Sequence, residues 1–502
     1  MGSIKEENDM DHTIAAIATA PGEGGIGIIR ISGYDSFDIL KKIFRFKSGK
    51  VMLSAEPRRM IYGNIIDIFK EHDQQSPGSA ENEDRSAEKI SADIIDECMV
   101  VYMKAPHTYT GEDVVEIQCH GSIISLRKIL TLVLKCGAEL AERGEFTKRA
   151  FLNGRIDLSQ AEAVIDIIKA RSETGYDAAV AQLQGALSRR IKAIRKNMAD
   201  LLADIVAHIE YPEEDLEELT YAQIINSLDS IKADIKKLAD TSDTGRALRD
   251  GLKVAIVGRP NVGKSSLMNA VLREERAIVT DIPGTTRDTI EEAASIGGIP
   301  VRIIDTAGIR DTDDTIEKIG IEKSRESMMQ ADVVLMMADG SHKLSDDDID
   351  IIRSIMITGK KCIFIINKSD LEQVTDRNSM IDALCMMPEA SQGYISDPCI
   401  ITMSAVSGDG IDELRNEIKR IVYNGEAAPS DDLLITDVRH EEILRNALGL
   451  LGDARGMLEN GEALDFAESD IRESWMLLGE ITGEAVTDDI VTEVFSRFCL
   501  GK

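Results

Sequence analysis

The residues Gly258-Arg259-Pro260-Asn261-Val262-Gly263-Lys264-Ser265 have the spacing G-x-x-x-x-G-K-[ST], a phosphate-cradling pattern. Gly258 and Gly263 permit a tight loop whose backbone N–H groups point inward at an anion. Lys264 would reach the β- and γ-phosphates as a catalytic cation, and the Ser265 hydroxyl would hold Mg²⁺. The following helix would add its positive N-terminal dipole at Ser266.

Three downstream motifs turn this phosphate loop into a guanine-nucleotide site. In Asp305-Thr306-Ala307-Gly308, Asp305 can hold Mg²⁺ through water, and the Gly308 N–H can meet the γ-phosphate. In Asn367-Lys368-Ser369-Asp370, the Asp370 carboxylate accepts the N1 and N2 protons of guanine, which adenine does not offer. Asn367 supports the base and the Lys368 stem covers its face. Ser404-Ala405 can present a backbone N–H to guanine O6. A site built on such bonds rejects the wrong base by leaving buried groups unpaired, so GTP is expected over ATP.

Between the loop and Asp305 lies Thr280-Asp281-Ile282-Pro283-Gly284-Thr285-Thr286-Arg287-Asp288. This suits a switch in which Thr286 closes on Mg²⁺ when the γ-phosphate is present. Residues 309–317 would be the second switch. Ile309 stands where many small GTPases place a water-orienting Gln, so hydrolysis must borrow another group. Asn261 adds a carbonyl oxygen near the phosphates, and a monovalent cation there would do the electrostatic work of an arginine finger.

These motifs need strands to end at them. Runs at 252–257, 301–305, 332–338, 361–366 and 399–403 alternate with helical segments, which predicts a doubly wound α/β domain with a mainly parallel sheet. The flanks differ. Residues 13–35 hold two apolar runs around a Pro/Gly turn, which suggests paired strands, with Arg30 inside the second run. That Arg reads either as a snorkelling edge residue or as an anion ligand. Strand character returns at 97–103 and 114–119. From Gly144 the text is helical, with a turn at Asn153-Gly154 and a long stretch to about Leu238 broken at Tyr211-Pro212. Residues 430–502 are helical again and are expected beside 156–245. The reading is a multidomain chain of α/β and α+β parts, divided as 1–155, 156–250, 251–425 and 426–502.

The net charge of −31 argues against non-specific nucleic-acid binding, so any RNA contact needs a local basic patch. Arg189, Arg190, Lys192, Arg195 and Lys196 read as a solvated helix face or as such a patch. The seven cysteines contain no CxxC pair, which argues against a disulfide framework. His107, Cys119 and His120 match no standard metal spacing. With no signal-like start and no apolar run near 18 residues, a cytoplasmic location is expected. The acidic, Ser- and Asn-rich stretch 70–92 reads as a surface insertion.

With these residues assembled, the chain resembles the tRNA-modification GTPase family MnmE, also called TrmE. Residues 21–30, 109–116, 144–154 and 498–502 carry the likeness beyond the GTP motifs. The resemblance implies an N-terminal folate-binding-like α+β domain, a central helical bundle and an inserted Ras-like P-loop GTPase domain. It implies a homodimer that binds a 5-formyltetrahydrofolate-type one-carbon donor. Arg30, Glu116 and Lys502 match the family's folate positions, and Arg155 falls where many members carry Lys. Asn261, Thr280, Ile282 and Thr285 match potassium ligands, Ser265 and Thr286 match magnesium ligands, and Glu317 matches the residue that positions the attacking water. Cys499 matches a residue considered as a nucleophile. The implied partners are the FAD-dependent protein MnmG (GidA), in a heterotetramer or larger complex, and tRNA, whose wobble uridine gains an aminomethyl-type group at C5. A ribosome-assembly or RNA-binding regulatory GTPase is the alternative, although no basic RNA-binding module is appended. A folate enzyme with a regulatory GTPase domain is the third reading.

Overall fold

The computed structural model describes residues 12–20, 22–48, 50–52, 54–69, 94–210, 220–274, 292–304, 326–386, 398–423, 425, 433–499 and 501–502. The expectations for 70–92, 280–288 and 305–317 lie outside these residues. The chain forms two compact units, 1–165 with 482–502, and 166–481.

In the first unit, β1 (Ile14–Ile17), β2 (Gly24–Ser32), β3 (Phe44–Phe46), β4 (Met60–Ile66), β5 (Ile94–Met103), β6 (Val114–Gly121) and β7 (Glu139–Leu140) make one sheet. The order is β3-β4-β5-β6-β2-β1-β7, and every pairing is antiparallel except β1 with β7. Side chains alternate between faces along a strand. Ile29, Ile31, Val115 and Ile117 therefore bury together with Ile39, Leu40 and Ile43 of helix Ser36–Ile43 and with Leu126, Ile129 and Val133 of helix Ile123–Lys135. Ile14 and Ala16 face the other way, onto Phe146 of helix Glu145–Leu152. Arg30 shares that second face. Its strand lies between β6 and β1, so the reading of Arg30 as an edge residue is overturned.

The first unit also takes the end of the chain. Helix Asp488–Ser496, expected from sequence beside 156–245, packs on the start of that stretch, burying Val491, Val494 and Phe495 with Leu158, Ala161 and Ile165. Phe498 joins them.

In the second unit, the helical stretch beginning near 156 divides where the sequence supplies stops. Ser172 caps helix Glu173–Leu183 by accepting from the Gly175 N–H, and Gly185 precedes helix Ala186–Glu210 with a φ of 80°. Helices Ala186–Glu210, Tyr221–Ala239, Val438–Glu459 and Leu464–Thr482 share one apolar core. Arg189, Arg190, Lys192 and Lys196 of the basic cluster are exposed on helix Ala186–Glu210, as a solvated face would be. Arg195 is buried, with its guanidinium 4.1 Å from the Trp475 ring centroid. Arg190 pairs with Asp234, and Lys196 lies near Asp200.

The second sheet holds β8 (Leu252–Val257), β9 (Glu292–Ile296), β10 (Ile299–Ile304), β11 (Val333–Asp339), β12 (Lys361–Asn367) and β13 (Cys399–Thr402). Its order is β13-β12-β11-β8-β10-β9, parallel except for the β9–β10 hairpin. Leu335 and Met337 bury on one face with Leu267, Ile411 and Leu414, and Met336 and Ala338 on the other with Ile352 and Met380. Helices on both faces explain why β11 is buried at every residue.

Candidate nucleotide and anion-binding sites

The carboxyl ends of β8, β11 and β12 and the residues after β13 meet, which is where ligands sit in open α/β sheets. The loop after β8 can turn because of its glycines. Gly258 has a φ of 150°, and a Cβ there would lie 2.4 Å from the Met337 carbonyl oxygen. Gly263 has a φ of 105°, and a Cβ there would lie 2.2 Å from Asn367 Nδ2. Asn261 adopts a left-handed φ of 66°, a conformation that Asn tolerates better than most residues. Helix Lys264–Glu274 then begins, with Ser265 and Ser266 exposed at its first turn.

Lys264 is folded back over the loop. Its Nζ donates to the Gly258 carbonyl at 2.7 Å and the Arg259 carbonyl at 2.8 Å. Burial lowers its pKa below the ordinary lysine value. A desolvated ammonium held, among the described residues, by neutral carbonyls fits the place of an incoming phosphate. Arg259 lies 2.8 Å from the buried Asp348 carboxylate, which also caps the helix Asp346–Thr358 through Ser345.

The base-side residues form one network. Asn367 is buried, donates from Nδ2 to the Val262 carbonyl at 2.7 Å, and accepts the Ala405 N–H on Oδ1 at 3.0 Å. It therefore ties the phosphate loop to the loop after β13. Ser404 Oγ donates to Asp370 Oδ1 at 2.6 Å and accepts the N–H groups of Val406 and Ser407. Lys368 Nζ pairs with Asp339 Oδ2 at 2.6 Å. Sequence reading overlooked Asp339, although it is the charged end of an unbroken apolar strand. The structure thus brings Asn261, Val262, Gly263, Lys264, Asn367, Lys368, Asp370, Ser404 and Ala405 to one end of the sheet. Thr280, Asp281, Ile282, Pro283, Gly284, Thr285, Thr286, Asp305, Thr306, Ala307, Gly308 and Glu317 lie outside the described residues.

The first unit carries a separate constellation. Arg30 and Glu116 stand opposite each other in the β2–β6 register. Glu116 Oε1 accepts from Arg30 Nε at 2.9 Å and Nη2 at 2.8 Å. The Arg30 guanidinium also lies 5.2 Å from the Tyr109 ring centroid and 5.6 Å from that of Phe146. Arg155 lies 5.0 Å from the same Tyr109 ring and donates to the Tyr109 carbonyl at 2.8 Å. Tyr109 thus has two guanidinium groups close to its ring, a role that its bare position in the sequence does not reveal.

A buried polar cluster holds this face in place. Arg149 is 2% exposed and meets Glu112 at 3.1 Å and Glu145 at 2.8 Å. Ser32 Oγ donates to Glu112 at 2.7 Å, Asn153 Nδ2 donates to the Thr110 carbonyl, and Tyr109 Oη lies 2.9 Å from Thr147 Oγ1. The stretches 109–116 and 144–154 are therefore the two halves of one clasp. The chain's end reaches the same sheet. A Cβ on Gly501, whose φ is 86°, would lie 2.2 Å from the Ile17 carbonyl oxygen. This seats Lys502 at the end of β1, with Cys499 exposed three residues earlier. Arg497, two residues before Cys499, pairs with Glu493 at 2.6 Å.

The chain is similar to known proteins over nearly its whole length. A family model described as the GTP-binding protein TrmE N-terminus matches residues 13–155, and one described as the MnmE helical domain matches 158–499. A tRNA modification GTPase MnmE of Clostridioides difficile (strain 630) is 48% identical over 493 residues, covering 98% of this chain and 100% of that one. Its counterpart from Alkaliphilus oremlandii (strain OhILAs) is 47% identical over 493 residues, with the same coverage. That of Bacillus cereus (strain ATCC 10987 / NRS 248) is 42% identical over 491 residues, covering 98% and 99%.

Proposed function

This chain belongs to the tRNA modification GTPase MnmE family, and from that premise we propose that it binds and hydrolyses GTP to drive modification of tRNA. The observation that carries the reading is the Asn367 bridge, which sets a phosphate loop beside a carboxylate-bearing base pocket. Lys264 neutralises the β- and γ-phosphates. Asp370 accepts the guanine N1 and N2 protons, and the Ala405 N–H faces O6 once the base arrives. Ser265 and Thr286 hold Mg²⁺, which supplies charge neutralisation on the phosphates.

The finer reading concerns cations and partners. Asn261, with Thr280, Ile282 and Thr285, takes K⁺ in place of an arginine finger, and Glu317 orients the attacking water. The left-handed Asn261 on the exposed side of the loop is compatible with this. Closure of the switch pairs two copies of the α/β domain, and the chain works as a homodimer with MnmG and tRNA in the cytoplasm.

The first unit takes a formyl-tetrahydrofolate-type donor at Arg30, Glu116, Arg155 and Lys502. An aromatic ring at Tyr109 with two arginines close by suits a flat heterocycle with an anionic tail. The one-carbon unit is destined for C5 of the wobble uridine, with Cys499 as a candidate nucleophile.

The test compares tRNA nucleosides by mass spectrometry from cells lacking the chain and from cells restored with wild type or with Asp370→Asn. Loss of the C5-modified wobble uridine on deletion, with rescue by wild type only, is the expected result. In parallel, wild type should hydrolyse GTP faster in K⁺ than in Na⁺, and Asp370→Asn should prefer XTP. Unchanged wobble uridine on deletion would refute the modification role.

A further inference from the structure

Asp339 and Asn367 end neighbouring strands in register, so the loops that follow β11 and β12 run side by side. The Gly340 N–H donates to the Asn367 carbonyl at 2.9 Å, and the Val374 and Thr375 N–H groups both return to the Gly340 carbonyl. The base-binding loop is thereby fastened to the residue that follows Asp339.

Lys368 is the costly residue in this arrangement. It sits at a φ of 65°, in the left-handed region, where a residue with a Cβ persists only if its surroundings over-determine it. Its carbonyl is held by the Leu371 N–H and by Gln373 Nε2. Its ammonium is held by Asp339 Oδ2 at 2.6 Å. The other carboxylate oxygen, Oδ1, is occupied by the Ser341 N–H at 3.0 Å and the Ser341 hydroxyl at 2.7 Å. Asp339 is 9% exposed, so its carboxylate is aimed by partners on both oxygens. A free lysine stem samples many rotamers. Fixing it before the ligand arrives removes a cost that binding would otherwise meet.

We propose that Asp339 is a positioning residue for guanine-nucleotide binding, acting through Lys368 by holding its stem ready over the face of the base. This rests on the nucleotide reading given above. The low pKa of Asp339 agrees with it. Burial alone would raise it, but the bonds from Lys368 and Ser341 outweigh burial and hold it at about 2. The carboxylate is therefore charged throughout the working range.

The experiment is a double-mutant cycle with a fluorescent N-methylanthraniloyl GDP probe on the full chain. Wild type, Asp339→Asn, Lys368→Met and the double variant are titrated. A charge-assisted hydrogen bond lost at a buried site predicts roughly tenfold weaker binding for Asp339→Asn. The double variant should be no weaker than Lys368→Met alone, because Asp339 then has no ammonium to hold. KM for GTP should rise with little change in kcat, and Asp339→Glu should recover part of the affinity. Binding by Asp339→Asn within twofold of wild type overturns the proposal. So does a double variant whose loss is the product of the two single losses. Should Asp339→Asn fail to fold, the Asp339→Glu and Lys368→Met pair completes the cycle. If wild type itself does not bind the probe, the nucleotide reading falls instead.

Discussion

Replacing Asn367 with Ala should damage the nucleotide site more than the loss of one base contact would. The amide is 2% exposed and makes two bonds, to the Val262 carbonyl at 2.7 Å and from the Ala405 N–H at 3.0 Å. Val262 and Ala405 are themselves buried, so water does not readily replace the lost partner. Each stranded buried group costs about 1–3 kcal/mol, giving roughly 2–6 kcal/mol for the pair. Part of this falls on folding and part on nucleotide affinity, because the phosphate loop and the loop after β13 lose their common tether. Urea denaturation monitored by circular dichroism measures the first part, and titration with labelled GDP the second. Affinity should fall at least tenfold, about 1.4 kcal/mol or more. Asn367→Asp is the sharper test. It keeps an acceptor for the Ala405 N–H but turns a carboxylate oxygen toward the Val262 carbonyl. It should rescue nothing relative to Ala. If Asn367→Ala stays within about 0.5 kcal/mol of wild type in stability and twofold in affinity, the tether argument is wrong. A loss of affinity with stability intact would confine Asn367 to the base.

Two further outcomes concern charge. Arg149→Met strands Glu112 and Glu145 around a buried position and should cost about 3–5 kcal/mol in urea denaturation, as breaking buried ion pairs does; adding Glu112→Gln should return part of that, and equal loss in both variants would count against the clasp. The folded-state pKa of Asp339 lies below the ordinary 3.8, at about 2, so its contribution is present above pH 4 and is lost as pH falls toward 2. Acid titration of stability should show this loss in wild type and a smaller one in Asp339→Asn, and identical acid curves would contradict the assignment.

The nucleotide loop was legible because its requirements are local. Two glycines, a lysine and a serine at set spacing dictate a turn, a donor and a helix start without reference to the rest of the chain. The strands ending at Asn367 and near Ser404 were legible for a similar reason, since a sheet covered on both faces demands unbroken apolar runs. The basic cluster at 189–196 shows the limit of such reading. Arg189, Arg190, Lys192 and Lys196 are exposed as a solvated helix face requires, but Trp475, 280 residues from Arg195, takes that one guanidinium into the core.

Long-range register and packing decided the remainder. Arg30 and Glu116 are 86 residues apart and meet only because β2 and β6 pair antiparallel at that register. A one-residue slip would turn both side chains into the apolar face. The chain's last residues carried Phe495 and Phe498 as unplaced apolar surface, and folding seated them against Leu158 and Ile165. That burial brings Lys502 to the end of β1 and leaves Cys499 exposed beside the same unit. Asp339 was one acidic residue among many until strand pairing set it beside Lys368. Residue type and local spacing determined which chemistry this chain can attempt. Strand register and burial, which depend on contacts far apart in the sequence, decided which side chains are held in place to perform it.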